Sequence, residues 1–322
     1  MAEPGFLVSV NTAAGSANRR AIDAALEVLR HQPAGVEVAD TASVEELDRA
    51  LEGLDGRRLV VLGGDGSLHA AVQCLHSRGR LKQSGPIGLV PLGTGNDLAG
   101  TLNIPLDPAQ AARVVLAGQA RPIELLVADD GGVAVNAVHV GIGVAAAQKG
   151  AAAKRALRRF RLGKLGYAAG AIAAGATQPG WYLEVAVDGR VIHGGDTPVL
   201  MASLALGGTI GGGARLVPEA DPHDGQVDVI VWEAVSLPAR LAYALELRSG
   251  NHAKRDDVRA GRGTAVTISS PRAPFSTSDD GELQGPFTRR SWKVEPAAWQ
   301  VIVPAPDRTS SCGPASTWPS TT

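Results

Sequence analysis

A chain of 322 residues with 44% hydrophobic content is long enough for roughly two domains, each with its own core. The net charge of −1 argues against a general nucleic-acid-binding protein, so any basic surface must be local. Only two cysteines occur, Cys74 and Cys312, so we expect no disulfide framework and a cytoplasmic protein. The chain has no apolar stretch of the length that a membrane-spanning helix requires.

The first third of the chain alternates strand and helix patterns. The predicted strands cover residues 6–10, 59–62 and 87–90, and helices are predicted over 17–29 and 68–75. Ser43 and Glu46 form a capping box that opens a further helix to about residue 54. Asp107 and Pro108 open another, and Gly118 follows its end. This βαβα rhythm predicts a parallel sheet with its ligand at the carboxyl ends of the strands.

Strand patterns dominate after about residue 123. They cover 133–140, 183–187, 199–206, 227–231 and 265–268. Asp188-Gly189 and Asp280-Gly281 are typical of hairpin turns. The pattern predicts an antiparallel sandwich or barrel-like second domain, interrupted by helical insertions at 151–176 and 237–247. We therefore divide the chain into a nucleotide-binding domain at 1–122, a β-rich domain at 123–305, and a disordered tail at 306–322 that is rich in Ser, Thr and Pro.

Two glycine-rich loops follow two of the predicted strands. Such a loop leaves backbone N–H groups bare at the sheet edge, where a phosphate is the natural ligand. Asp65 adds a carboxylate that can hold Mg²⁺ or take a proton. Two loops after consecutive strands predict one nucleotide site, formed by Gly63, Gly64, Asp65, Gly66 and Ser67 together with Gly93, Thr94, Gly95 and Asn96.

The loops read GGDGS and PLGTGND, and their order and spacing resemble the catalytic domain of the diacylglycerol kinase and sphingosine kinase superfamily, with its bacterial lipid kinases as the nearest likeness. Segments 11–15, 211–228 and 280–282 also match, so the resemblance covers residues 6–303. It implies an α/β fold: a Rossmann-like three-layer nucleotide-binding domain plus a second β-rich sandwich domain. It also implies that residues 299–303 return to the first domain as a strand.

The resemblance implies an ATP-dependent lipid kinase that uses Mg²⁺ and transfers the γ-phosphate to a hydroxyl of a lipid such as diacylglycerol. Two polar residues of the loops are also expected to cap helices, Ser67 the helix after the first loop and Asp97 the short helix after the second. The nucleotide contacts that carry over to this sequence are Asn11, Gly15, Thr41, Gly63, Gly64, Gly66, Ser67, Gly93, Thr94, Gly95 and Asn96.

Catalytic roles carry over to three carboxylates. Glu282 is the implied general base with Asp280 as its partner, and Asp65 acts at the phosphoryl group through Mg²⁺ or the acceptor hydroxyl. The plain alternative for 280–282 is an exposed hairpin turn. The resemblance also places a structural Mg²⁺ on Asp221, Asp224 and the carbonyl of Gln226, with a simple turn as an equal alternative. The histidines at 69, 139, 193 and 223 show no metal spacing and are interpreted as ordinary histidines.

Residues 149–164 contain seven Lys or Arg and no acid, which favours docking to an anionic membrane over a merely solvated face. We thus expect a cytoplasmic protein that associates peripherally with a membrane and meets its lipid substrate there; a homodimer is compatible with this. Segment 136–147 resembles the acceptor-pocket stretch of the family but lacks its Phe and Asp, so the acceptor stays open.

Two other functions remain as alternatives. One is an NAD kinase-like enzyme, against which the GTGND loop and the lack of a nucleoside motif with Asn-Glu and Thr-Asp both argue. The other is a nucleotide- or lipid-binding protein that has lost catalysis. Ala14, Ala70 and Ala145 favour this reading, whereas the retained Asp65, Asp280 and Glu282 oppose it.

Overall fold

The computed structural model describes residues 5–11, 19–33, 35–142, 144, 180–210, 213–233 and 255–305. Several predictions lie outside these described residues: the nucleotide contact at Gly15, both helical insertions, the basic stretch at 149–164 and the tail from residue 306.

The first part of the chain forms a parallel sheet between two layers of helices. The strands lie in the order β2-β1-β3-β4, with parallel pairing throughout. Helix α1 packs against α5, and α2 packs against α3. The three-layer prediction is therefore confirmed. The elements are β1 (Phe6–Asn11), α1 (Arg19–Arg30), β2 (Val36–Thr41), α2 (Val44–Glu52), β3 (Arg58–Gly63), α3 (Asp65–Ser77), a 3-10 turn (Leu81–Gln83), β4 (Gly88–Pro91), α4 (Asp97–Thr101) and α5 (Pro108–Ala117).

The ends of two helices follow the predicted chemistry. The Ser43 hydroxyl accepts a hydrogen bond from the Glu46 N–H at 3.3 Å, and Asp107 accepts one from the Gln110 N–H at 2.9 Å. These bonds satisfy N–H groups that have no partner inside a helix. Two other capping predictions are wrong, because α3 is capped by Gly64 and α4 by Asn96, with no side-chain capping bond in either case.

The second part of the chain consists of antiparallel strands. The elements are β5 (Gln119–Ala128), β6 (Val133–Ala134), β7 (Ala137–Gly141), β8 (Glu184–Val187), β9 (Arg190–Gly194), β10 (Val199–Ala205), β11 (Thr209–Ile210), β12 (Ala214–Arg215), β13 (Val227–Glu233), β14 (Val258–Gly263), β15 (Ala265–Ser269), β16 (Phe275–Asp279), β17 (Glu282–Phe287) and β18 (Arg289–Val303). The single strand predicted over 133–140 is instead two, β6 and β7, separated by residues 135–136.

Two six-stranded sheets form a sandwich. Their orders are β14-β13-β10-β7-β16-β17 and β6-β5-β18-β15-β8-β9. A shared core lies between them, with Val140 and Val229 from the first sheet and Ile268 and Trp292 from the second. The β-rich sandwich prediction is confirmed, and both predicted hairpin turns connect antiparallel neighbours, β8 to β9 and β16 to β17.

The long strands β5 and β18 join the two parts of the molecule. One end of each contributes to the sandwich core, whereas Ile123 and Trp299 belong to the core of the first domain. The register of β18 shifts between Glu295 and Trp299, where a bulge redirects the strand. Ile87 then bridges Val301 in parallel, so residues 299–303 return to the first sheet as expected.

Candidate active site

The carboxyl ends of the parallel strands bring the predicted nucleotide contacts together. Asn11 lies opposite Thr41 in the register, and Gly63 lies opposite Pro91, so all four strands end at one edge. The Asn11 side-chain amide donates to the Ser67 hydroxyl at 3.3 Å, which ties the first strand end to the first glycine loop. Thr41 is buried, and its hydroxyl donates to the Val10 carbonyl at 3.3 Å.

The two glycine loops touch each other. A Cβ atom on Gly64 would lie 2.9 Å from the Gly93 Cα, a separation that only a residue without a side chain permits. Asn96 adopts a left-handed conformation with a φ of 54°. Its side chain accepts from the Gly93 N–H and donates to the Gly93 carbonyl, both at 2.9 Å. The Asn96 amide therefore shapes the second loop, while Thr94 is exposed at the edge of the sheet.

Asp65 is the first residue of α3 and lies beside the start of α4. Its carboxylate accepts a hydrogen bond from the Leu98 N–H at 3.4 Å. Burial raises the pKa of Asp65, and the charges of Asp97 and Asp280 raise it further. The charges of two other carboxylates thus act on Asp65, and a cation bound beside it would relieve this repulsion.

Asp280 is a buried carboxylate whose two oxygens are both occupied. One accepts from the Asn136 and Ala137 N–H groups at 2.9 and 3.0 Å, and the other from the Val135 N–H at 2.7 Å and from His69 at 2.9 Å. Burial alone would raise its pKa, but the hydrogen bond and charge of His69 and the backbone donors lower the pKa of Asp280 below its usual value. Asp280 holds the segment between β6 and β7 in place and is not free to accept a proton.

Glu282 follows two residues later and is exposed. Its carboxylate reaches across to the first domain, where Oε1 lies 3.7 Å from the position that a Cβ atom on Gly66 would take. The second domain therefore places a solvent-accessible carboxylate over the first turn of α3. The Glu282 side chain has no hydrogen-bond partner among the described residues, and an accessible carboxylate close to the loops can act chemically as a proton acceptor.

His69 is a site residue that sequence reasoning missed. It lies one turn after Asp65 on α3, is 8% exposed, and places its Nδ1 2.9 Å from the Asp280 Oδ2. Burial by itself would lower the pKa of His69. The pKa is nevertheless raised, because Asp280 accepts a hydrogen bond from the ring and because Asp280, Glu282 and Asp279 are negatively charged. His69 lies in the helix predicted over 68–75, four residues after Asp65, and this spacing was the signal that the sequence offered.

The acidic loop at 221–228 is differently arranged. Asp221 accepts from the His223 N–H at 3.1 Å, and Asp224 accepts from the Gln226 N–H at 2.9 Å and contacts the Arg262 guanidinium. The described residues contain no group of three or more acidic, His or Cys side chains placed to hold a metal. In the structure Asp221 and Asp224 thus make turn contacts within the loop and one contact to Arg262, and their binding of Mg²⁺ together with the Gln226 carbonyl stays a prediction.

Two buried carboxylates lie at this loop, Glu124 beside it and Asp228 at its end. Glu124 of β5 accepts from the Gly225 N–H at 2.6 Å with one oxygen, and its other oxygen has no hydrogen-bond partner. Burial raises the pKa of Glu124 to about 7. Burial and the nearby Glu219 raise the pKa of Asp228 to about 7.

The molecule thus combines a three-layer α/β domain with a β-sandwich, and carboxylates of both domains meet at the carboxyl edge of the parallel sheet. Residues 5–128 match the diacylglycerol kinase catalytic domain, and residues 136–303 match the YegS C-terminal NAD kinase beta sandwich-like domain. The chain therefore belongs to the family of YegS-like and diacylglycerol kinase-like lipid kinases.

Individual relatives agree with this assignment. The chain is 30% identical over 255 residues to "Probable lipid kinase YegS-like" of Stenotrophomonas maltophilia, covering 77% of this chain and 79% of the relative. It is 29% identical to "Diacylglycerol kinase" of Mycobacterium tuberculosis, covering 76% of each. The crystal structure of a diacylglycerol kinase from Bacillus anthracis has the same fold, with a TM-score of 0.75, 18% identity and coverage of 94% and 98%. Among the described helices, none has the length and apolar character needed to cross a membrane.

Proposed function

We propose that the protein uses ATP and Mg²⁺ to phosphorylate a lipid hydroxyl such as that of diacylglycerol. The observation that carries the proposal is the position of Glu282, a free carboxylate of one domain 3.7 Å from the Cβ position of Gly66 on the phosphate loop of the other. Phosphoryl transfer to an alcohol requires in-line positioning, charge neutralisation and a proton acceptor, and little else.

The glycine loops are suited to the phosphate chain. Gly63, Gly64 and Gly93 present backbone without side chains at the carboxyl edge of the sheet, and α3 begins directly after the first loop. Its early N–H groups and dipole favour negative charge at this point. The ring and ribose of ATP would then lie along the edge toward Asn11, Thr94 and the end of β2.

Asp65 is the residue that would hold Mg²⁺. Its carboxylate is an oxygen ligand of the kind that Mg²⁺ prefers, and the neighbouring Asp97 and Asp280 charges supply the negative field that a cation relieves. When bound, Mg²⁺ would neutralise charge on the transferred phosphoryl group. Glu282 would accept the hydroxyl proton of the acceptor as its oxygen forms a bond to the γ-phosphorus, while the bond from that phosphorus to the β–γ bridging oxygen breaks and ADP leaves.

The deciding experiment is incubation of the purified protein with labelled ATP and separate acceptors. The panel contains diacylglycerol, a sphingoid base, phosphatidylglycerol, an isoprenoid alcohol and NAD⁺. We expect label in one lipid and none in NAD⁺. Label in NAD⁺ alone would establish the NAD kinase alternative, and ATP binding without any transfer would indicate a protein that has lost catalysis.

We also propose that the protein works at a membrane surface. Its acceptor resides in a bilayer while ATP is in water, and residues 149–164 carry the concentrated positive charge of the chain. Such a segment contributes about 1 kcal/mol per charge near an anionic surface. Binding to anionic vesicles should weaken as salt rises, and replacement of Arg155, Arg158, Arg159 and Arg161 by Ser should reduce it. Undiminished binding of this variant would exclude the segment as the docking element.

A further inference from the structure

The contact between His69 and Asp280 connects the two domains at the proposed active site. His69 lies on α3, one turn after the phosphate loop, whereas Asp280 lies in the turn between β16 and β17. Both are buried, with side-chain exposures of 11% and 1%, and Nδ1 lies 2.9 Å from Oδ2. Water screens the attraction between a protonated His69 and Asp280 little at this depth, although burial disfavours both charged forms.

The turn that Asp280 controls also carries Glu282. Asp280 anchors the turn through three backbone N–H groups of residues 135–137, all within the second domain. His69 is its fourth partner and the one that belongs to the first domain. The distance between Glu282 and Gly66 therefore depends on where His69 holds the turn against α3.

We propose that His69 is a positioning residue of the phosphotransfer site, which fixes the Asp280–Glu282 turn against the phosphate loop through its ion pair with Asp280. This rests on the proposed function, since it assigns Glu282 as the base. Glu282 touches the acceptor, whereas His69 acts through Asp280. A cationic imidazole also offsets the negative charge that Asp279, Asp280 and Glu282 bring to the cleft.

The surroundings of His69 favour its charged form. Burial opposes the charge, but Asp280, Glu282 and Asp279 from the β16–β17 turn raise the pKa of the imidazole. The charge of Asp280 also acts to raise the pKa of two neighbouring groups, Asp65 on the same helix and His139 on β7. Burial lowers the pKa of His139 to about 4, so His139 is neutral near pH 7 and does not compete for Asp280 as a cation.

Kinetics of two variants test the role. His69→Ala removes the contact, and His69→Asn retains an uncharged donor. Loss of a hydrogen bond to a charged group should lower kcat roughly ten- to a hundredfold in His69→Ala, with KM for ATP little changed. In the wild type, activity should fall at alkaline pH as His69 loses its proton. His69→Asn should recover part of kcat, and its activity should not show this alkaline fall. His76→Asn on the same helix, which removes the contact to Glu295, is the matched control and should behave as wild type.

A kcat for His69→Ala equal to that of the wild type would overturn the role. So would an alkaline limb that persists in His69→Asn, or equal changes in kcat and KM accompanied by a lower Tm, since these indicate structural support only.

Titration of the histidine Cε1–H resonances by NMR requires no substrate. One of the seven histidine signals should be absent from His69→Asn, which assigns it to His69. In the wild type this signal should titrate with a pKa above the ordinary histidine value of about 6.5, and in Asp280→Asn that pKa should be lower. An unshifted signal would refute the pairing. A shifted signal in a protein that phosphorylates no acceptor would support the pairing while contradicting the proposed function.

Discussion

Two acidic regions of this molecule have similar composition, but the pKa of a buried carboxylate is lowered in one and raised in the other. In the β16–β17 turn, Asp280 receives four hydrogen bonds, and the His69 contact helps lower its pKa. Beside the loop at 221–228, burial raises the pKa of Glu124 to about 7, because a single backbone donor reaches it and one oxygen has no partner. The comparison shows that the hydrogen-bond donors and the neighbouring charge around a buried carboxylate decide whether it is charged.

The two regions also differ in what they face. The turn projects Glu282 toward the glycine loops of the other domain. The acidic loop instead packs on β5, where the Glu124 N–H donates to the Pro222 carbonyl and the His223 ring donates to the Pro122 carbonyl. The first arrangement leaves a carboxylate free for chemistry between domains. The second uses carboxylates to fasten a loop within one domain. Substitutions in the two regions separate these roles.

The largest effect is expected from Glu282→Gln. The amide retains the shape of the side chain but cannot accept the proton, and loss of a general base costs about 10²–10⁴-fold in rate. ATP affinity should remain close to that of the wild type. Glu124→Gln in the other acidic region is the control and should retain kcat. A Glu282→Gln enzyme with normal turnover would transfer the role of base to Asp65.

Gly64→Val should weaken ATP binding strongly. Its φ of −96° accommodates any residue, so the effect comes from the Cβ atom, which would lie 2.9 Å from the Gly93 Cα. Forcing the loops apart costs about 3 kcal/mol, equivalent to more than about a hundredfold in affinity if the loss falls on the nucleotide. Gly35→Ala, where a Cβ meets nothing within 4 Å, is the control. Calorimetry showing normal affinity in a folded Gly64→Val protein would contradict the phosphate placement.

Glu124→Gln should change how stability depends on pH. The pKa of Glu124 is about 7 in the folded protein and lower in the unfolded chain, so its contribution is complete at acidic pH. It is lost as pH rises from about 4.5 to 7, by up to about 3 kcal/mol. The variant should match the wild type at about pH 4 and exceed it at about pH 8, although Asp228 retains a similar dependence. If the free energies of unfolding in urea differ between variant and wild type by the same amount at both pH values, the burial argument is refuted. Glu184→Gln, at an exposed position, is the control and should give such a pH-independent difference.

The smallest effect is expected from removing divalent cations from the protein without ATP. An ion bound at a hundred times its Kd adds about 2.7 kcal/mol of stability. Since Asp224 is paired with Arg262 and no described cluster fits a metal, EDTA should change the free energy of unfolding by much less than this. A large drop in Tm with EDTA, reversed by Mg²⁺ and absent in Asp221→Ala, would restore the Mg²⁺ site predicted from the sequence.

Local patterns of the sequence determined much of the architecture. β-Branched runs predicted β1, β3 and β4, and Ser43 and Asp107 marked helix starts because their side chains satisfy N–H groups within three residues. The glycine loops could be recognised because their chemistry is contiguous. The family followed from the loops and the later Asp-Gly-Glu segment taken together.

Some local predictions failed where contacts from distant residues intervened. Ser67 does not cap α3, because the helix begins two residues earlier, at Asp65; its hydroxyl instead accepts from Asn11, 56 positions away. Asp97 does not cap α4; its carboxylate accepts from the Gly213 N–H at 2.9 Å. The strand predicted over 133–140 breaks at residues 135–136, where the backbone N–H groups turn to Asp280.

The sequence by itself determined which residues could carry the chemistry: three glycines with Asp65, the second glycine loop, and Glu282. Only the tertiary structure decided their states. In the folded protein both oxygens of Asp280 accept hydrogen bonds, whereas Glu282 remains exposed. Folding also brings His69 to Asp280, which is 211 positions away in the sequence. A carboxylate in a sequence has no fixed pKa or role, because both depend on burial and on donors that arrive from elsewhere in the chain, and these are known only once the chain has folded.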